Sequence, residues 1–131
     1  MAGALVLFAS SCKKEKTTTE LLQNGAWKIT ALTATSGASS IDVYATMPSC
    51  SKDDLYTFKT DNTMIQGAGA TKCATTDPDT QSLGTYAVNG STVTLTNNGT
   101  VTTFNIVSIS ETGLNATRVD NNVTYNMTYA H

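Results

Sequence analysis

From Trp27 onward, apolar and polar residues alternate in short runs broken by Asn, Asp and Gly. A period of two between turn residues is the mark of half-buried β-strands. The runs predict eight strands, near residues 26–35, 54–60, 63–68, 82–88, 91–97, 100–109, 113–119 and 123–130. Most joints carry residues that tolerate positive φ: Asp61-Asn62, Asn89-Gly90, Asn97-Asn98-Gly99, Glu111-Thr112-Gly113 and Asp120-Asn121-Asn122. Consecutive strands are therefore expected to form antiparallel hairpins. Ahead of them, residues 19–25 read as one helical turn, because Thr17 and Glu20 have capping-box spacing and Gly25 can end the turn in a left-handed conformation.

Two connections are long, residues 36–53 and 69–81, and each contains one cysteine, Cys50 and Cys73. Counted in up-and-down order, these loops follow the first and third strands, so both lie at the same end of the sheet. Cysteines in loops of opposite parity would sit at opposite ends, too far apart to bond. The expected disulfide is Cys50–Cys73. Eight antiparallel strands whose first and last members meet can close into a barrel, which removes the exposed edges of such Thr-rich strands. The fold class expected is all-β, an eight-stranded up-and-down antiparallel barrel with a short N-terminal helical turn.

Composition agrees: 25 of 131 residues are Thr, with ten Asn and nine Gly, a strand-and-turn bias. The formal charge of -2, with 14% charged residues, excludes the basic surface that nucleic acid requires and the charge density of a disordered chain. One domain fits the length. The only His, His131, is the last residue, so zinc and a Ser–His couple find no ligand or base within the chain. No Gly-rich phosphate cradle or facing carboxylate pair is evident, and the chain is read as a non-enzyme without cofactors. Asp53-Asp54 and Asp77-Pro78-Asp79 raise the question of calcium, but their spacing matches no defined calcium loop and turn chemistry explains them; no metal site is assigned.

The first residues read as an address. Residues 2–9, AGALVLFA, are too short to span a bilayer and fit the apolar part of an export signal ending at Ala9-Ser10-Ser11-Cys12. That ending resembles a lipobox, the motif in which small residues precede the acylated Cys of a bacterial lipoprotein, although Ala9 stands where Leu is usual. Lys13-Lys14-Glu15-Lys16 then behaves as a solvated tether and partly resembles the surface-export signal of lipoproteins in one Gram-negative phylum. The organisation this implies is a signal-peptide remnant over 1–11, a lipidated Cys12 and tether over 12–19, and the barrel over 20–131. The expected location is the cell envelope, anchored to the outer membrane with surface display in view. Membrane contact is through the lipid alone.

Asn24-Gly25-Ala26-Trp27 resembles the Gly-x-Trp opening of lipocalin-like domains, where a helical turn closes the barrel floor and Trp plugs it. Pro48-Ser49-Cys50-Ser51-Lys52-Asp53-Asp54-Leu55-Tyr56-Thr57-Phe58, with the later Lys72-Cys73, is similar to the cysteine-bearing segment of small lipocalin-like lipoproteins. The resemblance covers roughly residues 20–130. It implies an eight-stranded barrel and small-ligand binding, and little about biochemical activity.

Alternation points Trp27, Ile29, Ala31, Tyr56, Phe58, Tyr86 and Val88 inward, together with Val123, Tyr125, Met127 and Tyr129 of the last strand. Arg118, the only Arg, shares the phase of Leu114 and Ala116 and lies near the mouth, where its planar fork suits a carboxylate or phosphate headgroup; a one-residue slip would send it outward. The ligand-binding residues expected are Tyr56, Phe58, Tyr86, Arg118, Tyr125 and Met127. The leading reading is a membrane-anchored monomer that binds or carries a small apolar molecule in its barrel. The alternative is a filled barrel that contacts protein or glycan through its mouth loops. Interior volume decides between them: below about 100 Å³ the filled barrel is favoured, because ligand pockets run to several hundred.

Overall fold

The structure, a computed structural model, describes residues 16–131. The apolar run, Cys12 and residues 13–15 lie outside the described residues. Thr17 caps helix α1 (Thr18–Leu22) through the anticipated box: its side chain accepts from Glu20 N at 3.1 Å, and the Glu20 carboxylate accepts from Thr17 N at 3.0 Å. The chain then leaves through Gln23 and Gly25, the latter at φ 121°, into β1 (Ala26–Ser36).

After β1 come β2 (Ser39–Asp42), a 3-10 turn (Tyr44–Thr46), helix α2 (Ser49–Lys52), β3 (Leu55–Phe58), β4 (Thr63–Gly67) and β5 (Thr80–Asn89). The remaining strands are β6 (Thr92–Asn97), β7 (Thr100–Ile109), β8 (Gly113–Asp120) and β9 (Val123–Ala130). Strands β3 to β9 pair in sequence order, and β1 pairs with both β3 and β9. The eight strands β1 and β3–β9 therefore form a closed antiparallel barrel, the architecture expected. The ninth strand, β2, was not anticipated: the 36–53 connection folds back on β1, pairing Ser36 with Ser39 and Thr33 with Asp42. All four residues of β2 are exposed, so alternation had nothing to act on.

The hairpin chemistry is as anticipated at four joints. Asn62, Asn98, Asn121 and Asn122 have positive φ, as do Gly90 and Gly99. At Glu111-Thr112-Gly113 the mechanism differs: no positive φ occurs there, and the Ser110 hydroxyl accepts from Thr112 N and Gly113 N instead.

Inward phase holds for Trp27, Ile29, Tyr56, Phe58, Tyr86, Leu114, Ala116 and Met127, all buried or half-buried. Ala31 departs from expectation and is exposed. The β1–β9 register shifts between Ile29 and Ala31, so a bulge at Thr30 turns Leu32 and Ala34 inward instead. A second irregularity lies in the β4–β5 pairing, between Met64 and Ile65 opposite Gly84 and Ser82. Gly84 permits it at φ 111°, because a Cβ there would collide with the Thr96 carbonyl.

The core sits at one end. Leu22, Trp27, Phe58, Met64, Tyr86, Val93 and Leu114 form one buried cluster beside α1. Trp27 is 1% exposed and donates Nε1–H to the Leu22 carbonyl at 2.9 Å, so the indole is both packed and satisfied. The Tyr86 hydroxyl donates to the Lys59 carbonyl and accepts from Gln23 Nε2, each at 2.7 Å, tying α1 to the β3–β4 turn. His131 lies against Trp27 with ring centroids 3.8 Å apart, and its Nδ1 is 2.7 Å from the Ala26 carbonyl oxygen. This end is a sealed floor.

Candidate functional site

The opposite end carries the connections 37–54 and 68–79 and the tight turns β6–β7 and β8–β9, as strand parity requires. Cys50 and Cys73 are bonded there, with Cα atoms 5.0 Å apart and a sequence separation of 23. Other contacts reinforce that join. The Asp53 carboxylate accepts from Thr71 N at 2.8 Å, and Lys72 pairs with Asp79 at 2.6 Å. Gly69, at φ 66°, lies so close to the Asp53 carbonyl that a Cβ would overlap it. Asp77 accepts from Ala74 N at 2.9 Å and organises its own turn. The mouth is thus braced on one side by short-range bonds that use most of the aspartates considered for calcium. Among the described residues, no three His, Cys, Asp or Glu side chains come together as a metal cage.

The interior below the mouth is nearly full. Its apolar cavity measures about 50 Å³ and is bounded by Trp27, Tyr56, Phe58, Met127 and Tyr129 among others. An apolar chamber of roughly 150 Å³ is what a benzene-sized guest occupies. Phe58 and Tyr86 stack edge-on with centroids 5.1 Å apart, deep in the floor cluster. Tyr56 and Tyr129 meet edge-on at 6.0 Å, and burial raises the pKa of both phenols above the ordinary value. The Tyr129 hydroxyl has the Met127 sulfur as its partner at 3.5 Å.

Arg118 keeps the inward phase. It pairs across with Tyr125, and its guanidinium carbon lies 4.8 Å from that ring's centroid while one amino group reaches Asp120 at 3.6 Å. Val119 points out and is 66% exposed, so the one-residue slip did not occur. Of the six residues expected to contact a ligand, Phe58, Tyr86 and Met127 are buried within the filled part, whereas Tyr56, Arg118 and Tyr125 are half-buried.

Two larger spaces open at the rim. One, about 430 Å³, lies against the inner side of β5–β7 and is lined by Leu83, Leu95, Asn97, Asn98, Thr100 and Thr102. The other, about 230 Å³, is bounded by Asp54, Gln66, Gln81 and Asp77 beside the disulfide. Sequence reading passed over Gln66 and Gln81. The signal was present: Gln66 is two residues beyond inward Met64 and pairs with Gln81 across the strands that flank the long loop.

No curated protein and no solved structure matches the chain. A lipocalin-like domain matches over residues 24–116, from the turn before β1 to the middle of β8. A barrel of this kind suggests small-molecule binding in general terms. With that match spanning most of the chain and the closed eight-stranded barrel beneath it, the protein belongs to the lipocalin-like domain family.

Proposed function

We propose that this protein is a binding module of the cell envelope that takes its ligand at the open end of the barrel and does not enclose it. The contrast in volume carries the reading: about 50 Å³ of apolar space within, against about 230 and 430 Å³ at the rim. Apolar pockets that surround a drug-sized ligand run to roughly 300–1,000 Å³. A fatty acid, bile acid or porphyrin does not fit inside. The rim recesses mix apolar walls with amide and hydroxyl groups, which suits a ligand with a polar portion. Catalysis is no part of the proposal, since the mouth carboxylates serve loop hydrogen bonds.

Envelope location is supported by the export-like start, by Cys12 in its lipobox-like setting and by a disulfide of the kind that persists in oxidising compartments. Lys16 pairs with Glu111 of the β7–β8 turn at 3.1 Å, so the tether meets the barrel at its floor. Four extended residues reach only about 14 Å. A lipid on Cys12 therefore holds the floor near the bilayer and presents the mouth away from it.

A second reading has one observation in its favour: the half-buried Arg118 guanidinium lies over the Tyr125 ring near the mouth, an arrangement that fits the anionic head of a small amphiphile whose apolar part would enter only if the filled interior opens. Amide chemical-shift mapping of the full chain separates the two, using fatty acids, bile acids, porphyrins, quinones and soluble glycans as titrants. Rim binding predicts saturable shifts in 37–54, 68–79 and 97–102 with Trp27, Val93 and Leu114 unmoved. Saturable shifts at those floor residues would overturn it.

A further inference from the structure

The cleft of about 230 Å³ shares no lining residue with the apolar cavity and has its own chemistry. Its polar side chains form a directed chain. Gln81 Nε2 donates to Gln66 Oε1 at 3.5 Å, and Gln66 Nε2 donates to Asp54 Oδ2 at 2.8 Å. Each carboxamide carries two N–H donors, so each keeps one; the Gln81 carbonyl and the second Asp54 oxygen keep acceptor capacity. The opening therefore offers donors and acceptors together, on planar groups held in register by the Gln66–Gln81 strand pair. Pro78 and Ala68 supply an apolar wall.

Few ligand types match all of this. An anion is opposed by Asp54 and Asp77 in the same lining. A simple ammonium donates only and would leave the spare carboxamide N–H groups unused. A lipid meets too much polar surface. Hydroxyl groups both donate and accept, and a sugar ring or cyclic polyol adds a C–H face that can lie against a proline ring. The size suits a single ring, being below the roughly 300 Å³ at which pockets for drug-sized ligands begin.

We infer that this cleft is a subsite for a neutral, hydroxyl-rich ligand, a sugar ring or cyclic polyol, held by Asp54, Gln66 and Gln81. The inference rests on reading the open end as the binding surface.

The test is a titration of the isotope-labelled full chain with glucose, N-acetylglucosamine and inositol, with putrescine as a cationic control. The side-chain amide resonances of Gln66 and Gln81 are followed. At least one neutral titrant is expected to give saturable shifts at these amides and in residues 68–79. Gln81→Ala, at an exposed position, weakens that binding about tenfold, roughly the effect of one lost hydrogen bond. Asp54→Asn keeps an acceptor for Gln66 but replaces the oxygen left for the ligand with an amide NH2, and it too weakens the binding of the neutral titrant without abolishing it. Response to putrescine alone, abolished by Asp54→Asn, overturns the ligand class. Sugar shifts confined to Asn97, Thr100 and Thr102 overturn the subsite and leave rim binding standing. Silence at every rim residue, with these titrants and with the lipids and glycans above, overturns both.

Discussion

Removing the Cys50–Cys73 bond tests how the mouth is held. The bond closes a loop with a sequence separation of 23, and in the chain-entropy model such a closure is worth about 3 kcal/mol through the denatured state. Unfolding entropy near 2 cal/mol/K per residue converts this, for a chain of this length, to a fall in Tm of about 12 °C. The Cys50→Ala/Cys73→Ala double variant and the reduced wild type should agree, by calorimetry, on that size of loss. Its location is also specified. Without the bond, residues 69–76 keep Asp53–Thr71 and the exposed Lys72–Asp79 pair, and exposed ion pairs contribute little. Amide exchange should therefore accelerate first in that loop, while Leu22, Trp27 and Val93 keep their protection until global unfolding. A Tm loss below about 3 °C in both forms, or uniform acceleration across the floor cluster, would refute this account of the mouth.

Three further outcomes follow from other contacts. Tyr86→Phe deletes the hydroxyl that joins Gln23 to the Lys59 carbonyl, and denaturant unfolding should show a loss of about 1–3 kcal/mol with an unchanged m-value. Gly69→Ala places a Cβ on the Asp53 carbonyl at φ 66°, so it should cost about 1–3 kcal/mol and shift amide resonances of residues 52–54 and 69–71. Asp54 has a raised pKa, so the folded state binds its proton more tightly than the unfolded state. Its contribution to stability falls as pH rises from 3.8 through the folded value, and Asp54→Asn should raise Tm at neutral pH with the gain vanishing in acid. Asp61 and Asp79 act with the opposite sign: hydrogen bonds accepted from Thr63 and from Lys72 respectively lower their pKa, so their support is present at neutral pH and lost on acidification.

Much of the fold was legible because its determinants are local. Asn and Gly at the joints set hairpins, Thr17 and Glu20 set the helical turn, and loop parity placed Cys50 beside Cys73. Features set by contacts distant in sequence were not legible. The bulge at Thr30 shows only when β1 meets β9, and it reverses Ala31 against a local alternation that is otherwise obeyed. Strand β2 carries no burial pattern, because nothing covers either of its faces. For the site, alternation gave the correct phase for Tyr56, Arg118 and Tyr125 but not depth, so it could not separate them from Phe58 and Tyr86 in the floor. Gln66 and Gln81 went unnoticed because an amide in a strand has no motif; their pairing across a 12-residue loop gives them meaning.

The plug formed by Trp27, Leu22 and their neighbours closes the far end, so the rim recesses are approached from one side. A ligand seated in them departs by the route it came, so a partner that covers the rim without touching the recesses would slow arrival and escape by the same factor. Occupancy at equilibrium would be untouched, and residence time would become the quantity such a partner controls.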